Sequence, residues 1–292
     1  MTAGLYAARS RIDTLLLEKL TPGGQVMTTA MVENYPGFEE PISGPDLMAR
    51  MEKQARHFDL KIEIQQVERI SRERDLKKVV TDEQQYLARA VIVATGAEPK
   101  SLGIPGEKEL RGRGVSYCAT CDGPFFQEKE VAVIGGGDSA VEEAIYLTRF
   151  AKRVRIIHRR DRLRAAKLVQ ERALSNEKVE ILWDTVPIRI DGEQLVQSMD
   201  VKNVKTGQET KLDVSGVFFY VGLKPNSNFF DLHIETDEEG FLRTDDNMRT
   251  SVDGIYAVGD VRSKMLRQIV TATGEGAAAA FAVEKYLENL TS

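Results

Sequence analysis

The sequence predicts an α/β protein in which a Rossmann-like dinucleotide-binding unit is inserted between two parts of another α/β domain. Three observations lead there. A complete strand–glycine turn–helix–strand unit occupies residues 131–160. Two further buried-type strands, Ala90–Thr95 and Ile255–Val258, each run directly into a glycine. And 292 residues exceed the roughly 100–200 of an ordinary domain.

In the central unit, Val131-Ala132-Val133-Ile134 is a short apolar run of β type. Gly135-Gly136-Gly137-Asp138-Ser139-Ala140 follows at once and fits G-x-G-x-x-A. Ala140, Ala144, Ile145 and Leu147 then recur at helical offsets over 139–150, and Val154–His158 is a second strand. Glycines there allow a tight turn and close approach of a pyrophosphate, and the helix N-terminus adds N–H groups and positive dipole. At the end of the second strand an NAD site places a carboxylate for the ribose 2′-hydroxyl. This chain has His158-Arg159-Arg160 instead, with Arg164 beyond. Arginines grip phosphate oxygens in pairs, so the expected ligand is NADPH, carrying a 2′-phosphate; a solvated basic patch is the plainer alternative.

On either side of this unit, Leu15-Leu16-Leu17-Glu18 reads as a short strand ending in an acid. Ser43 is a helix N-cap with Pro45 behind it, and Leu47, Met48, Met51, Ala55 and Phe58 form an apolar stripe whose methionines fill core. Lys61–Val80 alternates like strands with one wet face. Ala97–Gly114, rich in Gly and Pro, looks like a connection between domains. A Gly- and Ala-rich helix is expected from Thr273 to about Leu290. The predicted boundaries are 1–98 with 227–292 for one domain and 99–226 for the inserted one.

Composition excludes several function classes. Forty basic against 45 acidic residues give a net charge of −5, unlike the basic footprint of a nucleic-acid binder. No apolar run reaches the roughly 20 residues that cross a bilayer, and the start lacks signal-peptide character, so a cytoplasmic protein is expected. The two cysteines, Cys118 and Cys121, are spaced C-x-x-C. Zinc would need two more ligands, and the three histidines are scattered, so no metal site is expected. Redox chemistry is the better reading, because this spacing favours low-pKa thiols; a buried, inert pair is the alternative.

Together these residues resemble the bacterial-type, low-molecular-weight thioredoxin reductases. The resemblance rests on Cys118-Ala119-Thr120-Cys121-Asp122-Gly123, the glycine turn, His158-Arg159-Arg160-Asp161 and Gly259-Asp260-Val261. Gly23-Gly24-Gln25, Glu33-Asn34-Tyr35-Pro36-Gly37 and Arg267-Gln268 add to it. It implies a homodimeric α/β flavoprotein of two Rossmann-like, three-layer dinucleotide-binding domains, with the NADPH domain inserted into the FAD domain, passing electrons from NADPH through FAD to a disulfide and on to thioredoxin. Carried over by position, Cys121 is the flavin-side thiol, Cys118 exchanges with thioredoxin, and Asp122 is the acid/base group. Glu18, Gly23, Gly24, Gln25, Asn34, Thr95, Gly96, Asp260, Arg267 and Gln268 match FAD positions. Gly135, Gly137, Asp138, Ser139, Ala140, His158, Arg159, Arg160 and Arg164 match the NADPH site. Because one flavin must meet both nicotinamide and disulfide, a rotation between domains is expected, hinged at Ala97–Gly114 and Gly222–Asn226.

One departure stands out. The family opens with a strand and a first G-x-G-x-x-G turn for the FAD pyrophosphate, whereas this chain opens on Met1-Thr2-Ala3-Gly4-Leu5-Tyr6-Ala7, which resembles the helix after that turn. Glu18 is only the eighteenth residue, although the acid falls about 20 residues past the motif. The first strand and phosphate loop are therefore expected to be missing, through a late start of the sequence or a chain that is really this short. Protein of this sequence is expected to carry far less than one flavin per chain. Rival readings are a flavin-poor or inactive relative, an NADPH-dependent flavin reductase of the same fold, and an NADPH-sensing remnant.

Overall fold

The structure is a computed structural model and describes residues 1–29 and 32–291. The chain divides into two units, Met1–Glu98 with Lys224–Ser292, and Pro99–Leu223.

The second unit is built on a five-stranded, all-parallel sheet with spatial order Val179–Leu182, Arg153–Ile157, Glu130–Ile134, Gly216–Phe219, Val115–Ser116. Successive side chains of a strand face opposite ways, and Glu130–Ile134 shows the result. Val131 and Val133 pack with Ala140, Val141, Ala144 and Leu147 of the helix Asp138–Leu147. Ala132 and Ile134 pack on the other face with Ile190, Met199 and Val201 of a three-stranded antiparallel sheet. Burial on both faces explains why these strands read as continuous apolar runs rather than alternating ones. Helices, parallel sheet and antiparallel sheet make three layers.

The first unit holds two parallel strand pairs, Leu15–Glu18 with Lys61–Ile64 and Val91–Val93 with Ile255–Ala257. An antiparallel sheet spans Val67–Glu73, Leu76–Thr81 and Gln85–Ala88. Its helices are Thr2–Arg9, Gly44–Arg56 and Ile269–Thr291. The Ser43 hydroxyl accepts the Asp46 N–H at 3.1 Å, as an N-cap should, and Leu47, Met48 and Ala55 are buried.

Two sequence expectations need correction. The C-terminal helix begins at Ile269, four residues before Thr273. Ile269 and Val270 are β-branched and poor helix formers, but Thr271 closes the first turn, its hydroxyl accepting from Gln268 N at 3.2 Å and donating to Gln268 O at 3.0 Å. The helix after the glycine turn stops at Leu147 rather than Phe150, the chain tightening into bonds from Thr148 N to Ile145 O and Phe150 N to Leu147 O. Part of 97–114, expected as a connection, packs within the second unit. Leu110 lies in the core of the second unit and Glu107 is only 2 % exposed.

Candidate functional site

Parallel sheets gather their functional residues beyond the carboxyl ends of the strands, and the second unit does so four times over. Val115–Ser116 runs into Tyr117-Cys118, Glu130–Ile134 into the glycine turn, Arg153–Ile157 into His158-Arg159-Arg160, and Gly216–Phe219 into Tyr220.

Cys118 and Cys121 form a disulfide. Cys118 caps the short helix Ala119–Asp122, its sulfur accepting the Cys121 N–H at 3.2 Å. Asp122 closes that helix, and its Oδ2 accepts the Ser116 hydroxyl at 2.6 Å. The same Ser116 oxygen accepts the Cys118 N–H at 3.1 Å. Burial pushes the Asp122 carboxyl above the ordinary carboxylate range, with the Ser116 hydrogen bond pulling the other way. A carboxyl that keeps its proton to higher pH is suited to hand that proton to a departing sulfur. Glu143, on the helix after the glycine turn, is also raised by burial, and one of its oxygens is buried with no hydrogen-bond partner.

The glycine turn is shaped as its residue types require. Gly135 takes φ +152°, and a Cβ there would lie 2.7 Å from both Ala140 Cβ and Tyr220 O. This explains the small residue at the end of the motif. A Cβ on Gly136 would fall 2.2 Å from His158 Nδ1, whereas the nearest atom to a Cβ on Gly137 is Arg164 Nη2 at 3.9 Å. The space over Gly137, at the start of the helix, is therefore open to a ligand and edged by a guanidinium. Asp138 turns its carboxylate to the Ala166 N–H, 2.7 Å away, while Ser139 is exposed. Arg159, Arg160 and Arg164 are exposed, and none is ion-paired among the described residues. A phosphate between them meets free cations and a helix N-terminus, so the residues fit NADPH.

His158 is placed differently from the arginines that follow it. It is 5 % exposed, packed edge-on against Trp183 at 6.3 Å, with Nε2 bonded to Arg162 O at 2.9 Å. Arg164 N and Ala165 N donate to Gly136 O at 2.7 and 3.3 Å. The imidazole thus spaces the arginine loop from the glycine turn and is covered by both.

In the first unit the flavin candidates Glu18, Thr95, Gly96 and Asp260 lie at or just past the ends of parallel strands. Val91–Val93 leads to Thr95 and Gly96, and Ile255–Ala257 to Gly259 and Asp260. The Thr95 hydroxyl donates to Asn226 O at 2.6 Å, and Gly96 O accepts the Asn226 N–H at 3.0 Å. Gln25 donates to Ala97 O, next to the tight turn at Gly23 and Gly24, which take φ +132° and +54°. Asn34 Nδ2 donates to Gln268 Oε1 at 2.9 Å. Glu18 ends the parallel strand Leu15–Glu18, its carboxylate accepting the Lys19 N–H at 2.9 Å and facing the Met1 amine, whose pKa burial lowers while Glu18 opposes the shift.

Asp260 carries the test of whether FAD fits. Its Oδ1 is buried, with the Lys264 ammonium 3.4 Å away as countercharge. Burial raises its pKa and Lys264 opposes the shift. Arg267 has an equally buried, unpartnered Nε, and its guanidinium lies 4.3 Å from the Phe241 ring centre. A buried polar atom without a partner is costly; a ligand oxygen accepting from Arg267 Nε would satisfy it, and Asp260 is placed to accept a ligand hydroxyl beside Lys264. The residues present therefore fit a polyhydroxylated cofactor such as FAD.

Several contributors have no motif to mark them. Ser116, two residues before Cys118, could have been suspected from proximity. Glu275 could not. It lies on the C-terminal helix, accepts the Gly259 N–H at 2.6 Å and pairs with Arg262 at 3.0 Å and Lys264 at 3.2 Å, holding the turn that presents Asp260.

Comparisons with known proteins show the family. The sequence model of the family described as pyridine nucleotide-disulphide oxidoreductase matches residues 1–276. Thioredoxin reductase of Bacillus subtilis (strain 168) is 49 % identical over 291 residues, covering 99 % of this chain and 92 % of that protein. Thioredoxin reductase of Listeria innocua serovar 6a is 50 % identical over 292 residues, covering 99 % and 91 %. The crystal structure of thioredoxin reductase from Streptococcus pyogenes MGAS5005 superposes with a TM-score of 0.93 at 50 % identity, covering 99 % of this chain and 94 % of that one. The chain belongs to the pyridine nucleotide-disulphide oxidoreductase family, in its low-molecular-weight thioredoxin reductase branch.

Proposed function

We propose that this protein reduces the disulfide of thioredoxin with electrons from NADPH, using FAD and the Cys118–Cys121 pair as its internal carriers. The observation that carries the reading is the Cys118–Cys121 disulfide with the buried Asp122 carboxyl hydrogen-bonded beside it, on the same sheet edge as an open glycine turn and unpaired arginines.

The unit of residues 99–223 holds NADPH, the pyrophosphate over Gly135–Ala140 and the 2′-phosphate among Arg159, Arg160 and Arg164. The unit of 1–98 and 224–292 holds FAD through Gly23–Gln25, Asn34, Thr95, Gly96, Asp260, Arg267 and Gln268. FAD, when bound, supplies a two-electron carrier between nicotinamide and disulfide. Overall, NADPH, one proton and a protein disulfide give NADP⁺ and a dithiol. In the exchange step a thiolate of the Cys118–Cys121 pair attacks a thioredoxin sulfur, that S–S bond breaks, and the mixed disulfide is resolved by the second thiol. Asp122 holds the proton that the leaving sulfur needs. Cys118 is the sulfur assigned to thioredoxin and Cys121 the one assigned to the flavin side.

Among the described residues no helix is long and apolar enough to cross a membrane, which is consistent with action in the cytoplasm. Met265, Leu266 and Phe281, the last 60 % exposed, give the first unit apolar surface that a second copy would cover in a homodimer. The test is a coupled assay on protein supplied with FAD, following NADPH oxidation in the presence of thioredoxin and an aromatic disulfide reagent. Turnover with both acceptors supports the reading. NADPH oxidation that continues unchanged without any disulfide, releasing peroxide, would make the protein an oxidase instead.

A further inference from the structure

Both neighbours of Cys118 are held by a tyrosine hydroxyl, and both holds lead to the end of one strand. Tyr117 donates its hydroxyl to Glu107 Oε1 at 3.0 Å. Its ring packs on Phe219 at 5.6 Å, with the Arg111 guanidinium 5.1 Å from the ring centre. Glu107 also accepts from the Ser101 hydroxyl at 2.9 Å and from the N–H groups of Leu102 and Gly103 at 3.1 and 2.8 Å, so it is a fixed acceptor. On the other side, the fully buried Ala119 donates its N–H to the Tyr220 hydroxyl at 2.6 Å. Phe219 and Tyr220 are consecutive, and the Tyr220 N–H is bonded to Ile134 O at 2.8 Å, where the glycine turn begins. Burial and the nearby carboxylates keep both phenols protonated.

We propose that Tyr117 and Tyr220 are positioning residues that clamp the backbone around Cys118, keeping the reduced Cys118 and Cys121 sulfurs at ring-closing distance and so lowering the reduction potential of the pair. This rests on the redox role of the pair proposed above. The physical reason is effective concentration. When a dithiol is reoxidised, each sulfur loses a proton and an electron and one S–S bond forms, with glutathione disulfide reduced to two glutathione thiols. The equilibrium favours the ring in proportion to how often the two sulfurs meet. A backbone pinned on both sides loses little freedom on closure, whereas a loose one loses more. Neither hydroxyl touches a sulfur in this structure, so the effect works through position.

The test equilibrates the FAD-supplemented protein with glutathione buffers of graded ratio, traps thiols with a maleimide and counts them by mass. Tyr220→Phe removes the acceptor of the Ala119 N–H, and Tyr117→Phe removes the donor to Glu107. Each is expected to lower the ring-closure equilibrium constant about 3- to 10-fold, a tenfold fall being about 30 mV less negative. Tyr86→Phe, which deletes a hydroxyl of the first unit bonded to Glu63, is expected to leave it unchanged. Glu107→Gln keeps an acceptor for Tyr117 and is expected to stay within twofold of wild type. Should one Phe variant fail to melt cooperatively, the other decides. Constants within 1.5-fold of wild type, or shifted the opposite way, overturn the clamp. Glutathione reads this equilibrium without NADPH or thioredoxin, so failure of the clamp and failure of the proposed activity are separate results.

Discussion

The Ser116 hydroxyl donates to Asp122 Oδ2 at 2.6 Å, and the Ser116 Oγ also accepts the Cys118 N–H at 3.1 Å. One small side chain thus connects the buried acid with the backbone of the redox pair. Replacing Asp122 with Asn leaves a similar shape but no transferable proton. Disulfide turnover is expected to fall about 100-fold, the lower part of the range for general acid–base catalysis, and the slope that Asp122 gives the pH–rate profile should vanish. Steady-state rates from pH 5 to 9 check both.

The same residue makes a stability prediction. Its carboxyl holds a proton to higher pH in the folded protein than in the unfolded chain. The unfolded state then releases that proton first, so stability falls as pH rises from the ordinary carboxylate range through the raised pKa, and stays lower above it. Asp122→Asn removes that slope. The oxidised variant should melt at or above the wild-type temperature at pH 7, with the difference shrinking toward pH 4. Calorimetry at the two pH values reads this, and a variant less stable at pH 7 than at pH 4 relative to wild type contradicts it.

The glycine turn separates packing from ligand contact. Gly136→Ala drives a methyl to 2.2 Å from His158, so the imidazole must move; a cost of about 1–3 kcal/mol is expected, together with weaker NADPH binding. Gly137→Ala meets nothing nearer than 3.9 Å. Its melting temperature should stay close to wild type while KM for NADPH rises, because the methyl occupies the space left for phosphate. Melting curves paired with KM values distinguish the two.

Arg159→Ala and Arg160→Ala each remove an exposed guanidinium that is in no ion pair among the described residues. Stability should hardly change, since no ion pair is lost. A hydrogen bond to a charged group contributes about 1.5–3 kcal/mol, so KM for NADPH should rise about 10- to 150-fold while KM for NADH stays put. Equal effects on both nucleotides would show that these arginines do not read the 2′-phosphate.

How much of this was legible in the chain follows from how local each contact is. Cys118 and Cys121, the glycine turn and the arginines are contiguous in sequence, and their spacing alone carries the chemistry. His158 shows the limit, because its place in the motif could not reveal that its ring is sealed between Gly136 and Trp183. Tyr220 lies 101 residues from Ala119, at the end of a strand whose sequence says only that it is buried. Glu275 sits in a stretch of glycine and alanine that reads as helix and nothing more, yet it anchors the Gly259 turn from 16 residues away. The helix start at Ile269 was hidden because β-branched residues disguised it.

Glu275 gives a last comparison. Removing one member of a buried charge cluster leaves its partners uncompensated, at a cost of about 3–5 kcal/mol. Glu275→Ala is expected to lose that much stability and to retain less flavin, by absorbance, than Glu288→Ala, which alters an exposed pair with Lys285.

The central claim is that electrons from NADPH arrive at Cys118 and Cys121. Anaerobic protein supplied with FAD and one equivalent of NADPH, then trapped with a maleimide and weighed, should gain two labels mapping to those two cysteines, with far less labelling from NADH. Protein that stays unlabelled after NADPH is consumed, or that labels equally with either nucleotide, would contradict it.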